Sequence, residues 1–274
     1  MASKRIVIIT GSELRHQYMR MKLALSDHID VSLSICEGQE KSLTNRIDLS
    51  KDEDGVMRRH SEARERSERE FFADFCERNS DLSKPVLIPK GDINNPEVIE
   101  RAVKVGADLI VCYGTSIIKK PWFDAFPQKI LNLHLGLSPY YRGSGTNFWA
   151  QAHGRFECVG ATFMIMDEGI DTGGILHQVR ARVAQDDTSH AIGNRLIIDA
   201  AEAYSKVISG YDGKLPEEPL QFKSVEGVLC KRADFTAEAT KDFYRNFEHL
   251  KKDYLKVRAL REKETPILIN PAMV

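Results

Sequence analysis

The sequence predicts an α/β fold, a doubly wound and mostly parallel sheet over residues 1–210, followed by a small C-terminal appendage over residues 211–274. Three observations carry that expectation. Short β-rich apolar runs recur at residues 5–10, 31–35, 86–88 and 109–112. Helically spaced segments follow the first run and precede the last. The runs are continuously apolar, as in strands covered by helices on both faces of a parallel sheet.

The elements follow in order. Residues 5–10 stop at Gly11-Ser12, and residues 13–25 then place apolar side chains at helical intervals. After 31–35 comes a charged stretch over 37–79, in which Arg64, Glu65, Arg66, Glu68, Arg69 and Glu70 mix both signs. It reads as a solvated helix docked through Phe71, Phe72 and Phe75, ahead of a nucleic-acid surface or a mobile lid. Between 86–88 and 109–112, Asn95 is an N-cap candidate and Pro96 suits a first helical turn, leading into Val98, Ile99 and Ala102. Residues 161–166 and 175–183 read as two strands joined by a Gly-containing connection, and 192–207 as a helix. Beyond Gly210, Phe243, Phe247 and Leu250 lie at helical spacing and serve either an oligomer interface, a homodimer being one option, or packing on their own domain.

Composition narrows the class. Of 274 residues, 42% are hydrophobic and 29% charged, the balance of a globular chain rather than a disordered one. A formal net charge of -1 gives no reason to expect nucleic acid or an anionic membrane as a partner. Cys36, Cys76, Cys112, Cys158 and Cys230 are scattered and form no C-x-x-C pair, so neither a disulfide framework nor a metal site is expected. The apolar run at residues 6–9 is too short for a signal-peptide core or a membrane span, and the expected location is the cytoplasm.

The most informative segment runs from Lys129 to Gly145. Strand alternation puts Asn132 and His134 on one face and Leu131, Leu133 and Leu135 on the other. Gly136, Pro139 and Gly143 break the strand there, at the carboxyl end where a doubly wound sheet receives its ligand. Taken alone, His134 reads more readily as a core histidine. A second segment sets Asp167, Glu168 and Asp171 in a Gly-flanked loop, which alone reads as a solvated hairpin connection.

Together these segments change the reading. Asn132-x-His134, then Ser138-Pro139-x-x-Arg142-Gly143, then Asp167-x-Gly169-x-Asp171-x-Gly173 resembles the catalytic domain of the folate-dependent formyltransferases. That family includes glycinamide ribonucleotide, methionyl-tRNA and sugar N-formyltransferases. The resemblance covers roughly residues 5–208, is strongest over 107–175, and implies a Rossmann-like domain using N10-formyltetrahydrofolate. It implies that Asn132, His134 and Asp171 are catalytic. The cofactor would meet Ser116, Ile117 and Ile118 after one strand, and Met166, Asp167, Glu168, Gly169 and Ile170 in the later loop. Gly11, Ser12 and Arg142 would receive the acceptor.

The implied chemistry is attack of a neutral amine on the formyl carbon. Asn132 would donate its amide N–H to the developing oxyanion, a contact worth about 2.7–4 kcal/mol. His134, with an ordinary pKa of about 6.5, would move the proton, and Asp171 would orient it. Two departures matter. Gly136-Leu-Ser-Pro139 stands where many relatives read Ser-Leu-Leu-Pro, and Thr162-Phe-Met164 stands where the purine branch reads Thr-x-His. The second leans towards the sugar and tRNA branches. About 60 residues after Gly210, near neutral in charge, match an RNA-contacting domain poorly. The expected acceptor is therefore a nucleotide-linked amino sugar. Alternatives are another amine, hydrolysis of the formyl-folate, or folate binding without catalysis.

Overall fold

A computed structural model describes residues 3–38, 52 and 54–273. The chain opens with β1 (Lys4–Thr10), α1 (Leu14–Ala24) and β2 (Ile29–Glu37), and the two strands pair in parallel, Lys4 opposite Ile29 and Thr10 opposite Cys36. Residues 39–51 and 53 of the charged stretch lie outside the described residues. The rest of it forms α2 (Val56–Arg78), with Phe72 buried and Phe71 and Phe75 partly so. Next, β3 (Val86–Ile88) pairs with β2 and ends one edge of the sheet.

In α3 (Pro96–Lys104) the Asn95 side chain accepts the Glu97 N–H at 3.2 Å, a cap worth about 1 kcal/mol. The helix buries Val98, Ile99 and Ala102. The chain then returns past β1 to form β4 (Leu109–Tyr113), α4 (Lys120–Ala125) and β5 (Ile130–His134). All pairings from β3 to β5 are parallel, and strand order reverses between β1 and β4.

Beyond β5 lie β6 (Tyr141–Gly143), α5 (Thr146–Ala152), β7 (Gly160–Ile165), β8 (Ile175–Arg180) and α6 (Ser189–Gly210). Strand β7 runs antiparallel to both β5 and β8, which completes a seven-stranded sheet in the order β3-β2-β1-β4-β5-β7-β8. Finally, β9 (Val228–Cys230) pairs with β6 in a separate two-stranded sheet, and α7 (Ala237–Glu264) follows. The doubly wound, mostly parallel architecture expected from the sequence is the one observed.

Helices cover both faces. Ile6, Ile8, Val111, Leu131 and Leu133 pack with Met19 and Tyr204 on one side. Val7, Ile9, Ile110 and Ile130 pack with Ile99 and Trp122 on the other. Because side chains alternate, Asn132 and His134 fall on the face opposite Leu131 and Leu133.

Helix α7 lays Phe243 and Phe247 into the cluster shared with β1 and α6, with Leu250 against it. These apolar side chains thus pack on their own chain. Residues near the end cover β8, where Gln178 N–H donates to Leu268 O and Leu268 N–H donates back to Gln178 Oε1 at 2.9 Å. Among the described residues no helix is long and apolar enough to cross a membrane, and no His/Cys/Asp/Glu group is placed to hold a metal ion.

One packing feature has a measurable pH signature. On α2, His60 Nδ1 lies 2.8 Å from the Tyr244 hydroxyl of α7, and its ring meets His190, Phe148 and Phe235. Burial pushes the His60 pKa down to about 3 and that of His190 down to about 4. Unfolded histidine titrates at about 6.5, so the unfolded chain takes up these protons first on acidification. This contribution to stability is complete above about pH 6.5 and is lost as pH falls towards the folded values. Thermal melts from pH 7 to pH 4 are expected to show a shallower fall in Tm for His60→Phe than for the wild type; identical slopes would refute the assignment.

Candidate active site

The site forms where β5 ends. Asn132 pairs with Cys112 of β4 on one side and Met164 of β7 on the other, and His134 lies opposite Thr162. The chain then turns sharply, and buried polar groups hold the turn. Thr162 Oγ1–H donates to Gly136 O at 2.6 Å and accepts the Ser138 N–H at 3.0 Å, while Gln178 Nε2 donates to Ser138 O at 2.6 Å. Leaving such groups unpaired would cost about 1–3 kcal/mol each, so the network fixes the backbone just after His134.

Gly136 has a steric reason. A Cβ there would sit 2.5 Å from His134 Nε2 and 2.5 Å from Thr146 Oγ1. The departure from Ser to Gly at this position therefore makes room for the imidazole in the orientation observed.

Asp171 reaches His134 from the loop between β7 and β8. Its Oδ1 lies 3.4 Å from His134 Nδ1, and its Oδ2 accepts the Gly143 N–H at 2.9 Å. Asp171 adopts φ 50°, a left-handed conformation unusual for a non-glycine residue. Such strain, of order 1–3 kcal/mol, tends to persist where geometry serves a site. Burial lowers the His134 pKa, and the Asp171 carboxylate opposes that shift in part. The ring is therefore neutral near pH 7. His134 Nδ1 faces the carboxylate, and Nε2 is buried with no hydrogen-bond partner among the described residues.

Asn132 and Asp171 line one small recess of about 20 Å³ with Met164, Met166, Asp167 and Gly169. Asp167 Oδ1 folds the loop, accepting the Gly169 N–H at 3.0 Å and the Thr172 hydroxyl at 2.8 Å. Glu168 is exposed, and Ile170 is 61% exposed despite its apolar side chain. After the neighbouring β4, Ser116 N–H donates to Glu37 Oε2, Ile117 is 79% exposed, and Ile118 is buried in the core under the sheet. Ile118 can therefore offer a ligand little beyond its backbone.

Gly11 and Ser12 lie where strand order reverses. Gly11 and Gly114, at the ends of β1 and β4, cradle the His16 ring: a Cβ would fall 2.6 Å and 2.2 Å from it, respectively. Glu13 N–H donates to His16 Nδ1 at 3.3 Å, and burial drives the His16 pKa well down. Beside it, Glu68 Oε1 accepts from Arg15 at 2.8 Å and from Arg64 at 3.1 Å, and the Tyr113 hydroxyl is buried with no partner among the described residues. Arg142 sits next to Gly143, its Nε buried and likewise without a partner among the described residues.

Sequence reasoning missed His16 and Arg15. It also read Arg64 and Glu68 as part of a solvated face, whereas they turn inward to α1. Their only sequence signal is the i, i+4 spacing, which many exposed helices share. A larger cavity of about 490 Å³, lined by Lys4, Asp108, Lys129 and Tyr211, opens at the amino ends of the strands, away from this chemistry.

Comparison with known proteins fits this picture. The formyl transferase family model matches residues 4–208. A methionyl-tRNA formyltransferase of Finegoldia magna is 31% identical over 156 residues, 56% of this chain and 49% of that protein. The chain thus spans about half the length of the curated relatives it matches. Among solved structures, glycinamide ribonucleotide transformylase 1 from Symbiobacterium toebii superposes with TM-score 0.55 at 19% identity, covering 79% of this chain and 91% of that one. A candidate sugar N-formyltransferase of Mycobacterium tuberculosis gives TM-score 0.51 at 15% identity, covering 86% and 77%. With three quarters of its length inside that family model, the chain belongs to the formyl transferase family.

Proposed function

We propose that this protein transfers the formyl group of N10-formyltetrahydrofolate to an amine, and that the acceptor is the amino group of a nucleotide-linked amino sugar. The observation that carries the reading is the meeting of His134 and Asp171, 3.4 Å apart, beside a recess that Asn132 and Asp171 both line. When bound, the folate supplies an activated formyl carbon and a leaving nitrogen. Asn132 donates an amide N–H to the formyl oxygen as negative charge gathers there. His134 takes the proton of the attacking amine and returns it to the folate nitrogen as the bond from that nitrogen to the formyl carbon breaks, and Asp171 steadies the imidazolium in between.

The residues present suit a flat donor. Ile117 and Ile170 expose apolar side chains near the ends of β4 and β7, and Met166 packs at the edge of the core. The recess beside Asn132 has room for about one water molecule.

On the acceptor side, Ser12 and the Arg142 guanidinium, whose Nε has no partner among the described residues, suit an anionic, phosphate-bearing substrate, while Arg15 and Arg64 are held by Glu13 and Glu68. Thr162-Phe-Met164 in place of Thr-x-His supports the same choice over glycinamide ribonucleotide. The names of the curated relatives favour methionyl-tRNA as a second reading.

Incubation with formyl-folate and a panel of amino sugar nucleotides, glycinamide ribonucleotide and methionyl-tRNA, read by mass spectrometry, is expected to give a formylated sugar nucleotide. Formylation of methionyl-tRNA alone would replace the acceptor, and formate release without any acceptor would replace transfer by hydrolysis.

Asn132→Ala is expected to lower kcat by about 10²–10³-fold, the usual loss of one oxyanion donor. His134→Ala is expected to cost at least as much, with an unchanged circular dichroism spectrum in both. Activity within threefold of the wild type in either variant would remove that residue from the mechanism.

The pH profile tests His134 separately. A base with a burial-lowered pKa gives an acid limb in kcat/KM whose midpoint lies below about 6.5. Asp171→Asn removes the charge that opposes the shift, so the limb moves to lower pH while the maximal rate falls. Movement of the limb to higher pH would contradict this electrostatic account.

A further inference from the structure

We propose that Glu37 and Asn94 are positioning residues that together clamp the loop after β4, residues 114–119, into the shape that receives the donor; this rests on the folate reading above. Neither side chain belongs to the constellation around His134. Glu37 ends β2 and is fully buried. Its Oε1 accepts the Gly91 N–H at 3.0 Å and its Oε2 accepts the Ser116 N–H at 2.5 Å, with Lys90 Nζ 3.8 Å from Oε2.

Asn94 grips the same loop just beyond Ser116. Its Nδ2 donates to Ile117 O at 2.9 Å, and the Lys119 N–H donates to its Oδ1 at 2.9 Å. The turn that carries Asn94 is itself anchored, because Ile93 is buried and its carbonyl accepts the Trp122 Nε1–H at 2.9 Å. Two side chains, one at the end of β2 and one in the turn before α3, thus take backbone groups of Ser116, Ile117 and Lys119. Burial of Ile118 in the core adds a further fixed point.

The consequence is directional. With the backbone held from behind and Ile118 anchored inward, Ile117 is left presenting its side chain outward, 79% exposed. An apolar side chain held rigidly in water gains by covering a flat ligand, and a loop already ordered loses less conformational entropy on binding. Burial of a carboxylate is costly unless its oxygens are taken by strong donors, which Glu37 achieves with backbone N–H groups from the two loops it joins. Released from the clamp, the loop samples other shapes and binds donor only in the competent fraction, which raises the apparent dissociation constant.

The test compares the wild type with Glu37→Gln and Asn94→Asp. In the first, the amide turns an N–H towards one of the two backbone donors; in the second, a carboxylate faces the Ile117 carbonyl on a partly exposed side chain, where folding is least at risk. Binding of 5-formyltetrahydrofolate by calorimetry is expected to weaken about tenfold in each, the effect of one lost charge-assisted or loop-ordering hydrogen bond. Donor KM rises in parallel, while kcat at saturating donor and acceptor KM stay within about twofold to threefold.

A merely structural role predicts a lower Tm with donor binding unchanged, and that result in Asn94→Asp overturns the proposal. Should Glu37→Gln fail to fold, Asn94→Asp decides the matter by the same readings. A wild-type protein that binds no folate overturns the functional reading and the clamp with it. A wild type that binds folate while both variants bind equally well overturns the clamp alone.

Discussion

The Asp171 carboxylate ties the site together. One oxygen faces His134 at the end of β5, and the other accepts an N–H from Gly143 of β6. The loop that carries Asp171 is in turn closed by Asp167. A single side chain thus sets the relative position of two strands and a loop that nothing local requires to meet. The left-handed backbone at Asp171 is consistent with a residue held by what its side chain must reach.

Around it, the protein spends polar burial on position. Thr162 and Gln178 satisfy one another and the turn at 136–138, so the imidazole lies on a backbone with little freedom. Gly136 removes the one Cβ that would collide with the ring. A chain end that caps β8 through Leu268 draws residues far along the sequence into this network. The groups that would touch a donor are therefore supported from both sides of β5: by β7 and β8 on one flank, and by the loop after β4 on the other.

The switch point follows the same logic with different chemistry. Two glycines at adjacent strand ends admit His16 between them, and a buried set of two arginines and two carboxylates seals α1 to α2 above it. Those charges offset one another, which is why burial is tolerable there. The helical covering layer and the point where strand order reverses are thus one construction, and α2 belongs to it through Arg64 and Glu68 rather than standing off in solvent.

How much of this the sequence carried depends on how local each signal is. Continuous apolar runs, the Asn95-Pro96 cap and the alternation that puts Asn132 and His134 on one face all arise from periodicity within a few residues, and each reappears in the structure. The paired motifs around His134 and Asp171 gave the family. Left unread were His16, the inward turn of Arg64 and Glu68, and the grip of Glu37 and Asn94 on the loop after β4. Those depend on which strand lies beside which, and a chain of side-chain types holds no record of a neighbour 79 positions away, as Ser116 is from Glu37. Sequence determined the elements and the chemical groups; only tertiary packing, by burying carboxylates where the nearest donors come from other strands, decided which groups act together.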